Sequence, residues 1–187
     1  LTSLEGLQSM QFVGGDLNVD ECNTLTSVKG LRSLRIVEKN FTLRSNRSLI
    51  DVEGLQSLQA VGGFLTLENN EFTNRFPSAL GDMTSLMSLR AANNQFSRFP
   101  LVVTLLTQLK TLDLSGNVFG GFIQVQIGNL VSLESLGLSG CTFLGAIPTQ
   151  IGNLNQMRDF LDLSNNSLGG QIPSELGNMV AIERLFL

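Results

Sequence analysis

The sequence predicts an α/β solenoid, a chain of short coils stacked so that one strand from each coil joins a single parallel sheet. Two observations carry that prediction. A motif of the form LxLxxN returns along the whole chain, and its last position falls on Cys22, Asn46, Asn70, Asn94, Asn117, Cys141 and Asn166, at spacings of 24, 24, 24, 23, 24 and 25 residues. Ahead of each marker, apolar side chains alternate with other residues: Leu17/Val19, Phe41/Leu43, Leu65/Leu67, Leu89/Ala91, Leu112/Leu114, Leu136/Leu138 and Leu161/Leu163, with Leu185/Leu187 closing the series. Alternation over a few residues is a strand signal, and its return at a fixed long period marks a stack of repeated units.

Each element of the coil follows from the residues that recur in it. The alternating segment turns one set of side chains into the stack and the other outward. At the marker the backbone enters the interior, where its polar groups lose water and need partners. An Asn side chain both donates and accepts there, so the markers Cys22, Asn46, Asn70, Asn94, Asn117, Cys141 and Asn166 are expected to form a structural ladder. Cys is small, readily buried and a weak donor, which suits it to the two remaining rungs.

These motifs resemble the leucine-rich repeat family, whose pattern LxxLxLxxN/CxL matches over essentially the full length. The resemblance implies a right-handed superhelix with the parallel sheet on its concave face and short 3₁₀ or irregular segments on its convex face. Two dialects are present. Before about residue 70, apolar residues fall on every third position, as in Leu25, Val28, Leu31, Leu34 and Val37, a period suited to 3₁₀-like turns. These stretches resemble the repeats of receptor L domains. Later coils follow NxxxGxIPxxIGNL, clearest in CTFLGAIPTQIGNL and NSLGGQIPSELGNM. That form is similar to the plant-type extracellular repeat of receptor-kinase ectodomains and polygalacturonase-inhibiting proteins. Gly145 and Gly170 would permit a tight bend, and Pro148 and Pro173 fit an edge segment that donates no ladder bond. Asn74 stands where the pattern has Gly, and the coil holding "SRFP" is one residue short, so irregular curvature is expected there.

The 187 residues read as one domain, 1–187, of about seven to eight coils, with no linker or charge block to divide them. Both ends fall on repeat material without caps, so a piece of a longer protein is expected. Cys22 and Cys141 lie five coils apart, roughly 24 Å from the strand spacing, beyond the reach of a disulfide. They read as buried free thiols. Sequons occur at Asn40, Asn46 and Asn165. Asn46 belongs to the ladder, which leaves Asn40 and Asn165 as glycosylation candidates. With the plant-type dialect, this points to an extracellular or cell-surface location.

Composition bears on chemistry. Histidine is absent, which removes the usual proton shuttle near neutrality. No calcium-loop spacing and no phosphate-cradling loop occurs, so no cofactor, metal or catalytic residue is assigned and the chain is not expected to be an enzyme. Asp113 and Asp162 share an outward column but lie two coils apart, too far for an acid/base pair.

Function should therefore reside on a surface. Most outward sheet positions are small or polar. The exceptions are Arg44, Phe64, Glu68, Arg90, Asp113, Phe160, Asp162 and Phe186, and these are the candidate ligand-binding residues of the concave face. Aromatic and Arg residues are the usual anchors of protein interfaces. Lys29, Arg32, Arg35, Lys39, Arg44 and Arg47 concentrate positive charge in the second coil of a chain whose net charge is -4. Nucleic acid is not expected, because the positives do not recur along the stack. Nor is direct membrane contact. The expectation is a non-catalytic module that binds a protein or glycan. The alternative is a structural unit of an extracellular filament or coat, self-associating through its uncapped ends.

Overall fold

The computed structural model describes residues 1–73 and 75–187; Asn74, the departure from the glycine pattern, lies outside the described residues. Eight short strands form one parallel sheet in chain order: Leu17–Asn18, Phe41–Thr42, Phe64–Thr66, Ser88–Arg90, Thr111–Asp113, Ser135–Gly137, Phe160–Asp162 and Arg184–Phe186. Pairing is in register, with Leu65, Leu89, Leu112, Leu136, Leu161 and Leu185 opposite one another. A one-residue slip would turn every leucine outward, so burial of one face enforces the register. The inward side chains of successive coils merge into a single core that runs from Leu4 to Met179.

The markers do form hydrogen bonds between coils. The Asn46 side-chain oxygen accepts the Cys22 N–H at 2.8 Å, and that of Asn70 accepts the Asn46 N–H at 2.9 Å. Asn94 and Asn117 accept from Phe72 and Phe96, and Asn166 accepts from both Cys141 and Phe143. The residue before every marker has positive φ: Glu21, Ser45, Asn69, Asn93, Gly116, Gly140 and Asn165, between 55° and 65°. This left-handed residue is what turns the chain into the interior. Asn and Gly adopt it readily, whereas Glu21 and Ser45 do so at a cost.

The opposite side of each coil is a 3₁₀ turn. The first three, Glu5–Leu7, Lys29–Leu31 and Glu53–Leu55, have three residues; the next five, Ser78–Asp82, Leu101–Leu105, Val125–Asn129, Thr149–Asn153 and Ser174–Asn178, have five. The short turns stack closely. A Cβ on Gly30 or Gly54 would overlap the carbonyl of Leu4 or Val28 in the coil before, which is why glycine stands there. Pro148 and Pro173 do not lie in an edge strand as expected. With Pro77 and Pro100 they sit just before the five-residue turns, where a missing N–H forfeits nothing and the fixed φ prepares the turn.

Accessory strands separate the two dialects more sharply than periodicity does. The early period-three runs are not turns throughout: Phe12–Val13, Ile36–Val37 and Ala60–Val61 pair in parallel as a second sheet. They follow the 3₁₀ turn and precede the main strand. In the later coils, Leu144–Gly145 pairs with Ser167–Leu168, and these strands follow the main strand and precede the turn. The flank carrying accessory strands therefore changes side along the stack.

Candidate functional site

The outward face of the eight-stranded sheet carries two adjoining hollows. One, of about 390 Å³, is lined by Asp16, Asn18, Asp20, Asn40, Thr42, Arg44, Phe64, Thr66, Glu68 and Arg90. The other, of about 290 Å³, is lined by Glu68, Arg90, Thr111, Asp113, Ser135, Asp159, Phe160 and Arg184. Glu68 and Arg90 line both, so the two form one shallow track across the middle coils. Of the eight residues singled out from the sequence, Arg44, Phe64, Glu68, Arg90, Asp113 and Phe160 line this track, whereas Asp162 and Phe186 do not.

Several of these side chains are already engaged. The Asp113 carboxylate accepts the Ser115 N–H at 3.0 Å, and that of Asp162 accepts both the N–H and the hydroxyl of Ser164. These aspartates hold the chain as it leaves the strand. Asp20, which sequence reasoning passed over, does so between coils, accepting the Arg44 N–H at 2.9 Å and the Thr42 hydroxyl at 3.1 Å. Gly137 stands between Asp113 and Asp162 in the middle column, and a Cβ there would lie 2.5 Å from Asp113 Oδ1. Its lack of a side chain leaves the Asp113 carboxylate room to turn back onto the backbone.

Phe64 is 40% exposed and unpaired with any aromatic ring among the described residues. Phe160 is half-buried, with the Arg184 guanidinium 5.4 Å from its ring centroid, a cation–π distance. Arg184 thus joins the site although sequence reasoning did not select it; its in-register position after Phe160 was the available signal. Asp159 was missed because it precedes the alternating segment, yet it accepts the Ser135 hydroxyl at 2.6 Å.

Electrostatics centre on Glu68. Partial burial pushes its carboxyl above the ordinary range, repulsion from Asp113 adds to this, and Arg90 and Arg44 partly oppose it. The six basic residues of the second coil do not form one patch. Lys29 lies on the 3₁₀ turn, paired with Glu53 at 3.0 Å, whereas Arg44 stands on the sheet, 4.0 Å from Asp20. Among the described residues, no three metal-ligating side chains converge.

The glycosylation candidates differ. Asn165 is exposed. Its amide donates to the Ser139 and Ser164 hydroxyls at 3.3 and 3.4 Å, whereas the half-buried Asn40 donates its amide to Asp16 at 2.9 Å and accepts the Phe64 N–H at 3.1 Å.

Residues 108–130, 132–154 and 159–179 match the model of the Leucine Rich Repeat family. No curated protein sequence matches the chain significantly. Among solved structures, a chain of the BIR3–SERK2 complex from Arabidopsis thaliana is 39% identical over 60% of this chain and 60% of that chain, with a TM-score of 0.56. The ectodomain of the Arabidopsis receptor kinase HAESA, in complex with an N-terminally extended IDA peptide hormone, is 26% identical over 93% of this chain, with a TM-score of 0.68. The present chain spans only 28% of that ectodomain. A leucine-rich repeat protein of Leptospira interrogans is 27% identical over 98% of this chain and 50% of its own, with a TM-score of 0.61. Stacked coils, an in-register parallel sheet and these likenesses show a leucine-rich repeat solenoid fold, similar to that of plant receptor-kinase ectodomains.

Proposed function

We propose that the chain is a non-catalytic, extracellular recognition module that holds a protein segment along the outward face of its sheet. One observation carries this reading: the two hollows meet at Glu68 and Arg90, and the large or charged outward residues Arg44, Phe64, Asp113 and Phe160 line the same track. Elsewhere that face is mostly small or polar. A track of this kind offers an aromatic anchor at Phe64, a fixed cation at Arg90 and a half-buried carboxylate at Glu68, a set that reads an extended chain by its side chains. The plant structures that resemble it include a receptor-kinase ectodomain in complex with a peptide hormone and the BIR3–SERK2 complex, which supports a protein partner over a glycan.

The test uses peptides selected by display against the immobilised chain. Arg90→Glu and Phe64→Ala should each weaken the selected peptides at least tenfold while leaving the circular dichroism spectrum unchanged. Peptides that bind both variants as tightly as the parent would place recognition on another surface.

A further inference from the structure

A further hollow lies away from the outward face of the sheet. It measures about 750 Å³, within the ~300–1,000 Å³ usual for ligand sites, and is lined by Asp51, Val52, Glu53, Gln56, Thr73, Arg75, Phe76, Pro77, Ser78, Ser97 and Arg98. Its origin is the change of dialect. Between the marker Asn46 and the three-residue turn Glu53–Leu55 the chain takes a short path; between Asn70 and the five-residue turn Ser78–Asp82 it takes a longer one. Coils of unequal outline stack imperfectly along that flank, and the mismatch opens a groove. Phe76, tilted 30° against Phe96 with ring centroids 4.0 Å apart, lines it.

Into this groove the sequence places Arg-Phe-Pro twice, at residues 75–77 and 98–100. The two prolines precede consecutive 3₁₀ turns, so Arg75 and Arg98 occupy the same position in neighbouring coils. Both are exposed, and neither joins an ion pair among the described residues. Guanidinium groups on neighbouring coils suit anionic oxygen, since each presents a planar pair of N–H donors. The hydroxyls of Ser78 and Ser97 add short donors and acceptors to the groove, while that of Thr73 donates to the Ile50 carbonyl at 3.2 Å. The Asp51 and Glu53 carboxylates also line the groove; one Asp51 oxygen accepts the Glu53 N–H and one Glu53 oxygen pairs with Lys29, which leaves the other oxygen of each to accept a hydrogen bond. At the matching position of the next coil stands Phe122, 64% exposed.

We propose that this groove is a binding site for an anionic oligosaccharide, separate from the face that recognises protein. Acid groups on the saccharide would seat on Arg75 and Arg98. Its hydroxyls donate to Asp51 and Glu53 and accept from the serines, and the apolar face of a further ring covers Phe122. A hydroxyl-rich acid suits the arginines and the carboxylates at once. An acidic peptide would satisfy the arginines but set its remaining carboxylates against Asp51 and Glu53.

The probe is trigalacturonate, followed by isothermal titration calorimetry and by chemical-shift changes of the arginine side chains. A sulfated disaccharide separates sulfate from carboxylate recognition, the methyl ester of trigalacturonate tests the acid groups, and a glutamate tripeptide is the rival ligand. Binding by either acidic saccharide, weakened at least tenfold by esterification of the uronate or by Arg75→Ser with Arg98→Ser, and lessened by salt, is the expected result. The exposed Arg32→Gln variant removes one positive charge elsewhere and should bind as the parent does. The proposal is overturned if the double variant retains full affinity, if neither acidic saccharide binds, or if the tripeptide binds as tightly. Should the double variant unfold, Arg98→Lys alone, which keeps the charge and loses the planar pair of donors, must still weaken binding.

Discussion

Removing the side chain of Asn70 tests the ladder at a rung that bonds four backbone groups. The Asn70 oxygen accepts the Asn46 N–H at 2.9 Å, and its amide donates to the carbonyls of Leu43 at 2.7 Å, Leu67 at 2.9 Å and Glu68 at 3.1 Å. Those partners are not equally dependent on it. The Leu67 carbonyl keeps a bond from the Asn94 amide, and that of Glu68 keeps the Ser45 N–H. The Asn46 N–H and the Leu43 carbonyl have no other partner among the described residues, so Asn70→Ala strands two buried backbone groups. At about 1–3 kcal/mol for each unsatisfied group, the expected loss is about 2–6 kcal/mol. Asn70→Cys should cost less, because a thiol in this position still donates to a carbonyl, as Cys141 does to Leu114 at 3.3 Å. Urea unfolding followed by circular dichroism measures both variants. Hydrogen exchange should show the added opening in the second and third coils first, since each coil is held only by its neighbours. An alanine variant that loses less than about 1 kcal/mol, or a cysteine variant that loses as much as alanine, would refute the claim that orphaned backbone groups set the cost.

Other outcomes follow from single residues. Gly54→Ala should destabilise the chain by about 1–3 kcal/mol or more, because its methyl group meets the Val28 carbonyl of the preceding coil; an unchanged denaturation midpoint would mean that the coils can separate freely. Glu68 carries a folded-state pKa above its unfolded value, so its contribution is fully present below the ordinary carboxylate range and is lost as pH rises through the raised pKa. Glu68→Gln should therefore flatten the fall in stability over that window, as followed by urea titration at stepped pH. Burial pushes the Cys141 thiol up to about 11. Iodoacetamide at pH 8 should accordingly modify the half-buried Cys22 in the native chain and reach Cys141 only on unfolding, as peptide mass mapping would show.

Local pattern was enough to locate the inward leucines and the rungs from Cys22 to Asn166, because strand alternation and the need to satisfy a buried turn act over a few residues. The left-handed residue before each rung was open to the same reading where it is Asn or Gly, but not at Glu21 and Ser45, whose side chains do not favour that conformation. The binding track was only half legible. Outward position identified Phe64 and Arg90, yet nothing in the alternation said that Asp113 and Asp162 would turn back onto Ser115 and Ser164, or that Phe160 would lie beneath Arg184.

The sequence by itself determined the period, the register and the composition of the core, since each is a choice of residue type within one coil. Tertiary structure alone decided which flank carries the accessory strands, how the hollows join at Glu68 and Arg90, and where coils of unequal outline leave a groove beside Arg75 and Arg98. Those features arise from the fit of one coil on the next, a property of neighbours about 24 residues apart that no single repeat contains.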